Sequence, residues 1–306
     1  MSTLTNDFSW SHARHEMFQA CLKRYYFAYY GAWGGWKETA PAVTRDLYRL
    51  KRLLTRQQWA GHHVHQALQH LLNRSREDSA ADLATTVAAR QIEQMRQEFR
   101  QSRSGAYQAD PVHLVGLFEH EYGLELPAEE WQAAVERVGR AIRSFLASPI
   151  WQELRTLPGD AFLAVERRTH FLLDGLKVFA VPDLVVRRAG RVVLYDWKTG
   201  EADSARHRVQ LGVYALLALD RWTSAPEEIE AVVFNPVHDW CETLVFSADD
   251  METLRDFIRD SADEMLFPLE NPETNDGGDG RNFDCAASDA PCKTCSFLRV
   301  CPRWQA

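Results

Sequence analysis

The 306-residue chain contains no uncharged apolar stretch of the roughly 18 or more residues that a bilayer-spanning helix needs. Its opening, MSTLTNDFSWSHARHEMF, has no basic segment leading into an apolar run, so the expected compartment is the cytoplasm, with no membrane partner. No Gly-rich loop ends in Gly-Lys-Ser/Thr, so any unwinding would need a helicase or other protein partner. A basic surplus is missing too: 35 Lys and Arg stand against 43 Asp and Glu, for a net charge of −8. That excludes a protein that coats nucleic acid through a basic exterior and leaves room only for a local basic groove. What is present suits a packed interior, with 45% hydrophobic residues and ten Trp. A chain of this length is read as one domain, 1–306, around one α/β core.

The first half reads as helical. Apolar and aromatic residues recur at three- and four-residue spacing over 9–30, and GAWGGW then breaks the pattern. Further helices are expected over 43–73, 80–103 and 128–147, so that 1–160 forms a large helical region. From residue 161 the period falls to about two. AFLAVERRTHFLL, DG, LKVFAVPDLVVRR, AG and RVVLYDWKTG read as a three-stranded antiparallel meander. A helix from Asp203 to Leu219, strands near 228–235 and 241–247, and a helix to about 265 complete an α/β core over 161–268. The remainder, 269–306, is a turn-rich loop and a Cys-rich tail.

Three acids interrupt these apolar strands. A two-residue turn at Asp174-Gly175 sets Glu166 opposite Asp183, and a turn centred on Ala189-Gly190 sets Asp183 opposite Asp196. Lys198 shares the face of Asp196, whereas Trp197 points the other way. Facing carboxylates repel, and packing does not reward them. A divalent cation would, and Mg²⁺ or Mn²⁺ at phosphoryl-transfer sites is held by such oxygens. The alternative is a solvated hairpin face on which Asp196 and Lys198 form a weak surface pair.

Pro182-Asp183 followed by Asp196-Trp197-Lys198 resembles the signature of the PD-(D/E)XK nuclease superfamily, and specifically its RecB-like branch of CRISPR-associated exonucleases and helicase–nuclease modules. That branch carries Q-x-x-x-Y on the next helix, found here as Gln210 and Tyr214, and G-x-x-x-H on an earlier one, found here as Gly61 and His65. Residues four apart share a helical face, so Gln210 and Tyr214 can present together. His62 and His63 compete with His65, and only the spacing from Gly61 prefers the last. The resemblance implies a restriction-endonuclease-like core, with a mixed central sheet flanked by helices. It also implies metal-dependent phosphodiester hydrolysis, with Asp183, Asp196 and His65 on Mg²⁺ or Mn²⁺ and Lys198 acting on water or phosphate. Glu166 is an addition from the turn register.

Six cysteines occur, and the tail spacing C-x2-C-x5-C over Cys292, Cys295 and Cys301 reads as metal binding. Cys285 could complete a local Zn²⁺ site. The resemblance offers another fourth ligand, because several family members pair one cysteine in the first helix with three near the end to bind a [4Fe-4S] cluster. Here that set is Cys21, Cys292, Cys295 and Cys301, a clasp between the two ends of the chain. Cys241, in an expected strand, is assigned to the core.

The expected activity is that of a deoxyribonuclease, an exonuclease on single strands or ends serving repair, recombination or phage defence. The alternative is an inactive nucleic-acid-binding or assembly subunit that keeps the fold and cluster. Candidate DNA contacts are the basic clusters at Arg45 to Arg56, Arg187 to Arg191, Arg206 and Arg208, and Lys293, Arg299 and Arg303, with Tyr25, Tyr26 and Trp304 as stacking surfaces.

Overall fold

RVVLYDW is built from β-branched and aromatic residues with little polarity on either face, the pattern of a strand covered on both sides. In the computed structural model, which describes residues 4–73, 80–200 and 204–305, this segment is the centre of the sheet. The strands are β1 (Phe162–Val165), β2 (Thr169–Leu173), β3 (Leu176–Ala180), β4 (Leu184–Arg188), β5 (Arg191–Trp197), β6 (Ile229–Asn235) and β7 (Trp240–Leu244). Five of them form a sheet in the order β1-β4-β5-β6-β7, parallel only between β5 and β6. The helices are α1 (His12–Ala20), α2 (Leu22–Tyr26), α3 (Ala42–Lys51), α4 (Arg56–Asn73), α5 (Ala80–Arg103), α6 (Phe118–Glu121), α7 (Ala128–Ala147), α8 (Pro149–Leu154), α9 (Ser204–Arg221), α10 (Ala248–Leu266) and α11 (Pro302–Gln305).

Alternation along the strands divides the core in two. Val185, Val192, Leu194, Ala231 and Val233 pack with Leu211, Ala215 and Ala218 of α9 and with Leu254 and Ile258 of α10. Val193, Tyr195, Trp197, Val232 and Phe234 pack on the other face with Leu68 of α4 and with Val138, Ile142 and Phe145 of α7. The result is a central mixed sheet flanked by helices. Among the described residues no helix is long and apolar enough to cross a membrane.

Both turns set the expected registers. Asp174-Gly175 (φ +50° and +87°) and Ala189-Gly190 (φ +47° and +80°) are two-residue loops with both residues left-handed. The meander itself is corrected. Its first two strands each break in the middle, so β2 and β3 peel away as a separate ribbon while β1 and β4 stay in the main sheet. One break falls at Glu166, whose φ of +43° is rare for a non-glycine residue, and the other at Pro182, which has no N–H to donate. The helix expected over 9–30 also breaks. Cys21 is extended (φ −169°), and its Sγ accepts from Arg24 N at 3.4 Å, so the thiol caps α2. The helix expected over 43–73 divides into α3 and α4, with Leu54 bonded to the backbone of Gly116 and Phe118. The expected start of α9 at Asp203 lies outside the described residues.

Candidate metal centre

The two breaks in the meander bring the acids together. Glu166 leaves β1 with its N–H donating to Asp183 O at 3.0 Å, and Asp183 precedes β4 directly. One Asp183 oxygen, Oδ2, accepts from Trp197 N at 2.6 Å, tying it to the end of β5. The other, Oδ1, lies 3.0 Å from His65 Nδ1, and Glu166 Oε1 is 3.6 Å from the same nitrogen. His65 comes from α4, whose Gly61 faces the segment after Lys198: a Cβ there would meet Thr199 Oγ1 at 3.0 Å. A bulkier residue would press the helix away from that segment. Donor atoms of His65, Glu166 and Asp183 all lie within 4.8 Å of one another, the one such cluster among the described residues.

Asp196 is 3% exposed and Asp183 7%. Burial and then the charge of Asp183 push the Asp196 pKa up to about 6, against the opposing pull of Lys198 and His65. Burial disfavours the His65 cation, but Asp183 and Glu166 outweigh it and hold its pKa well above 6.5. Glu166 Oε1 is buried without a hydrogen-bond partner. Facing buried carboxylates and an orphaned oxygen are what a divalent cation would relieve, so the residues present fit one.

Lys198 Nζ sits 2.6 Å from Asp196 Oδ2 and donates to Gln210 Oε1, also at 2.6 Å. Gln210 Nε2 in turn donates to Tyr214 OH at 2.8 Å. Burial, followed by the charges of Asp196 and Asp183, raises the Tyr214 pKa well above 10, keeping the phenol protonated. The backbone N–H of Lys198 donates to Phe234 O at 2.9 Å, and the fully buried Asn235 donates from Nδ2 to Gly200 O at 2.7 Å. The sequence reading missed Asn235. Its signal was a polar residue closing the apolar run EAVVFN.

A match to known proteins decides the family. The family model of the PD-(D/E)XK nuclease superfamily matches residues 9–302. The chain belongs to the PD-(D/E)XK nuclease superfamily. Members are in general metal-dependent nucleases. No curated protein matches the chain. Among solved structures, the crystal structure of SSO0001 is similar at 19% identity over 61% of this chain and 79% of that one, with a TM-score of 0.29, a superposition too loose to bear on the fold.

Two competing histidines of this superfamily member lie elsewhere. His63 is fully buried between Gln91 Oε1 and Glu98 Oε2, each at 2.9 Å, and His62 Nε2 meets Gln66 Nε2 at 2.9 Å. Beside Lys198, Gln210 and Tyr214 opens a groove of about 1190 Å³ whose walls include Arg14, Lys51, Arg168 and Trp33. The expected nucleic-acid surface is corrected in part. Tyr25 is core at 0% exposure, Tyr26 packs on Phe283, and Trp304 borders a different cavity. Many of the expected basic contacts are ion-paired: Arg49 with Asp46 and Glu121, Arg188 with Glu153 and Glu230, Arg208 with Asp250, and Arg299 with Asp46. Most of these ion pairs join segments distant in the chain. Of the expected basic clusters, Lys51 and Arg206 line the groove.

Cys21, Cys285, Cys292, Cys295 and Cys301 line one small cavity. Burial, followed by the neighbouring Cys285 and Cys295 thiols, pushes the Cys301 pKa up to about 11. The sulfurs of Cys285 and Cys301 lie 3.8 Å apart, and among the described residues no three of the thiols gather within 4.8 Å. Zn–S bonds near 2.3 Å in a tetrahedron place sulfurs about 3.8 Å apart, which is the separation of this pair. Five thiols on one cavity supply the donor type that either a zinc ion or an iron–sulfur cluster takes. Cys241, assigned to the core, is instead exposed, because β7 is an edge strand whose alternate residues face out.

Proposed function

We propose that the protein is a Mg²⁺- or Mn²⁺-dependent deoxyribonuclease that acts as an exonuclease on single-stranded DNA or DNA ends. The observation that carries this reading is the cluster of His65, Glu166 and Asp183 donors within 4.8 Å, backed by a buried Asp196 paired to Lys198. His65, Glu166, Asp183 and Asp196 would hold the cation, which when bound supplies Lewis acidity toward a phosphoryl oxygen. Lys198 carries the chain's own part. Its ammonium is held between Asp196 and Gln210, so it meets developing charge on the phosphate or attacking water without first having to be ordered. Gln210 fixes that orientation and Tyr214 fixes Gln210. A subunit freed from catalysis has no use for a half-buried lysine aimed in this way.

The whole chain is proposed to work as one nuclease domain of the RecB-like branch. Cys21, Cys292, Cys295 and Cys301 would hold a [4Fe-4S] cluster as a structural clasp, supported by their convergence on one cavity from both ends of the chain. Repair, recombination and phage defence are processes that use such an activity. The test is a cleavage assay on single-stranded, double-stranded and end-blocked DNA, with and without Mn²⁺. Mn²⁺-dependent loss of open-ended single strands with survival of end-blocked ones is expected. Cleavage of circles would replace the exonuclease reading with an endonuclease, and no cleavage of any substrate would overturn the proposal.

A further inference from the structure

The groove beside Lys198 carries a second positive focus that the metal centre does not use. Arg14, in the first turn of α1, is only 7% exposed, yet no carboxylate pairs with it among the described residues. Its guanidinium donates to Ser9 O (2.7 Å), Ser9 Oγ (2.9 Å) and Tyr25 OH (3.0 Å), all uncharged, and its Nε has no hydrogen-bond partner. A guanidinium charge buried without a counter-ion is costly. Lys51, ending α3, and Arg168, just before β2, line the same groove and likewise make no ion pair among the described residues.

Aromatic rings hold the three cations in place. Arg14 Cζ and Lys51 Nζ lie 4.2 Å and 4.7 Å from the centroid of the Tyr29 ring, and Arg168 Cζ lies 4.6 Å from that of Phe179. The groove wall desolvates Lys51, and together with the charges of Arg14, Arg168 and Arg52 it pushes the Lys51 pKa down to about 8. The acids on the groove wall are Asp7 and Glu16, and Glu16 is taken by Arg206. Elsewhere in the chain, arginines are commonly neutralised by a carboxylate. Here three cations face one groove, and among the described residues none of them forms an ion pair with a carboxylate.

We infer that Arg14, Lys51 and Arg168 form a seat for a phosphate of single-stranded nucleic acid, apart from the metal-binding carboxylates. Trp33, 39% exposed on the same groove, offers a ring to an unpaired base, which a duplex has already stacked within itself. The seat deepens the nuclease reading and rests on it for the identity of the polyanion. It holds the strand, and takes no part in the reaction at Lys198.

The test is fluorescence anisotropy of labelled oligonucleotides in EDTA across a range of salt, with Lys51→Ala, Arg168→Ala and Arg168→Glu. Lys51 and Arg168 are open to the groove, so their substitution spares the core. Arg45→Gln, an exposed charge on α3 outside the groove, is the control. Each Ala variant is expected to weaken single-strand binding by roughly tenfold and to flatten the salt slope by about 0.7 for each phosphate that is no longer neutralised, with Arg168→Glu weaker still. Equal losses on 5′-hydroxyl and 5′-phosphate strands identify an internal phosphate, and a loss confined to the latter identifies a terminal one; either supports the seat. Unchanged affinity and slope, an equal loss in Arg45→Gln, or an equal loss on blunt duplex would overturn it. The two readings fail separately: wild-type protein that cleaves nothing in Mn²⁺ but shows these binding losses keeps the seat and loses the nuclease.

Discussion

Asp196→Ala is expected to abolish Mn²⁺-dependent cleavage, and Lys198→Ala to lower kcat by roughly 10²–10³-fold with little change in KM. The two effects have different origins. Asp196 is one of the buried carboxylates that a cation would bridge, so its loss removes both a ligand and the partner that orients Lys198 at 2.6 Å. Lys198 meets charge that develops during the reaction, so its loss falls on turnover. Stability separates this account from simple misfolding. Asp196 is held against burial and against the charge of Asp183, and its pKa is pushed up to about 6 as a result. Removing it relieves that repulsion, so in EDTA the Asp196→Ala protein should melt no lower than wild type. Steady-state cleavage and thermal melts of the same preparations check both points. Retained activity, or a large drop in melting temperature, would count against the assigned role.

The second large effect concerns the chain ends. Cys21→Ser is expected to remove the broad visible absorbance of anaerobically purified protein and to lower stability by on the order of 5 kcal/mol, if the loop-closure argument for crosslinks carries over to a cluster. Cys21 joins α1 to α2, and its cavity partners come from the tail, so one bound group would close nearly the whole chain into a loop. Cys285→Ser is the informative comparison. Its sulfur lies 3.8 Å from that of Cys301, but it is outside the proposed cluster set, so the colour should survive its loss. Visible spectra, iron and zinc content, and urea unfolding measure these outcomes. Colourless protein carrying one zinc ion, lost with Cys285→Ser, would replace the cluster with a zinc site.

Short-range chemistry was legible in the sequence. The Asp-Gly and Ala-Gly turns determine which residues oppose one another, and that register alone aligns Glu166, Asp183 and Asp196. What it could not supply was the break in the strands. Glu166 at φ +43° and Pro182 turn the chain out of the sheet, so two expected long strands become four short ones and Glu166 swings to within 3.6 Å of His65. Helix periodicity gave helical stretches but not their interruptions, because Cys21 and the segment at 52–55 are set by tertiary partners. The parallel pairing of β5 with β6 follows the strand–helix–strand order through α9 that the sequence pattern shows.

Charge was the least legible feature. A run such as TRDLYRLKRLLTR reads as a nucleic-acid face, yet Arg49 and Arg56 are taken by Glu121 and Glu130 from distant parts of the chain. Lys51, on the same run, is left facing the groove. Whether a basic side chain is free depends on which acids fold against it. Arg14 was overlooked for the converse reason: a single arginine in an aromatic helix gives no sign that it will be buried without a counter-ion.

The central claim is that His65, Glu166, Asp183 and Asp196 hold the cation for hydrolysis. Anomalous diffraction from Mn²⁺-soaked crystals, recorded at the manganese edge, tests it most directly. A peak within coordination distance of Asp183 and Asp196 is the predicted result. Manganese bound only elsewhere on the molecule, with those carboxylates unliganded, would contradict it.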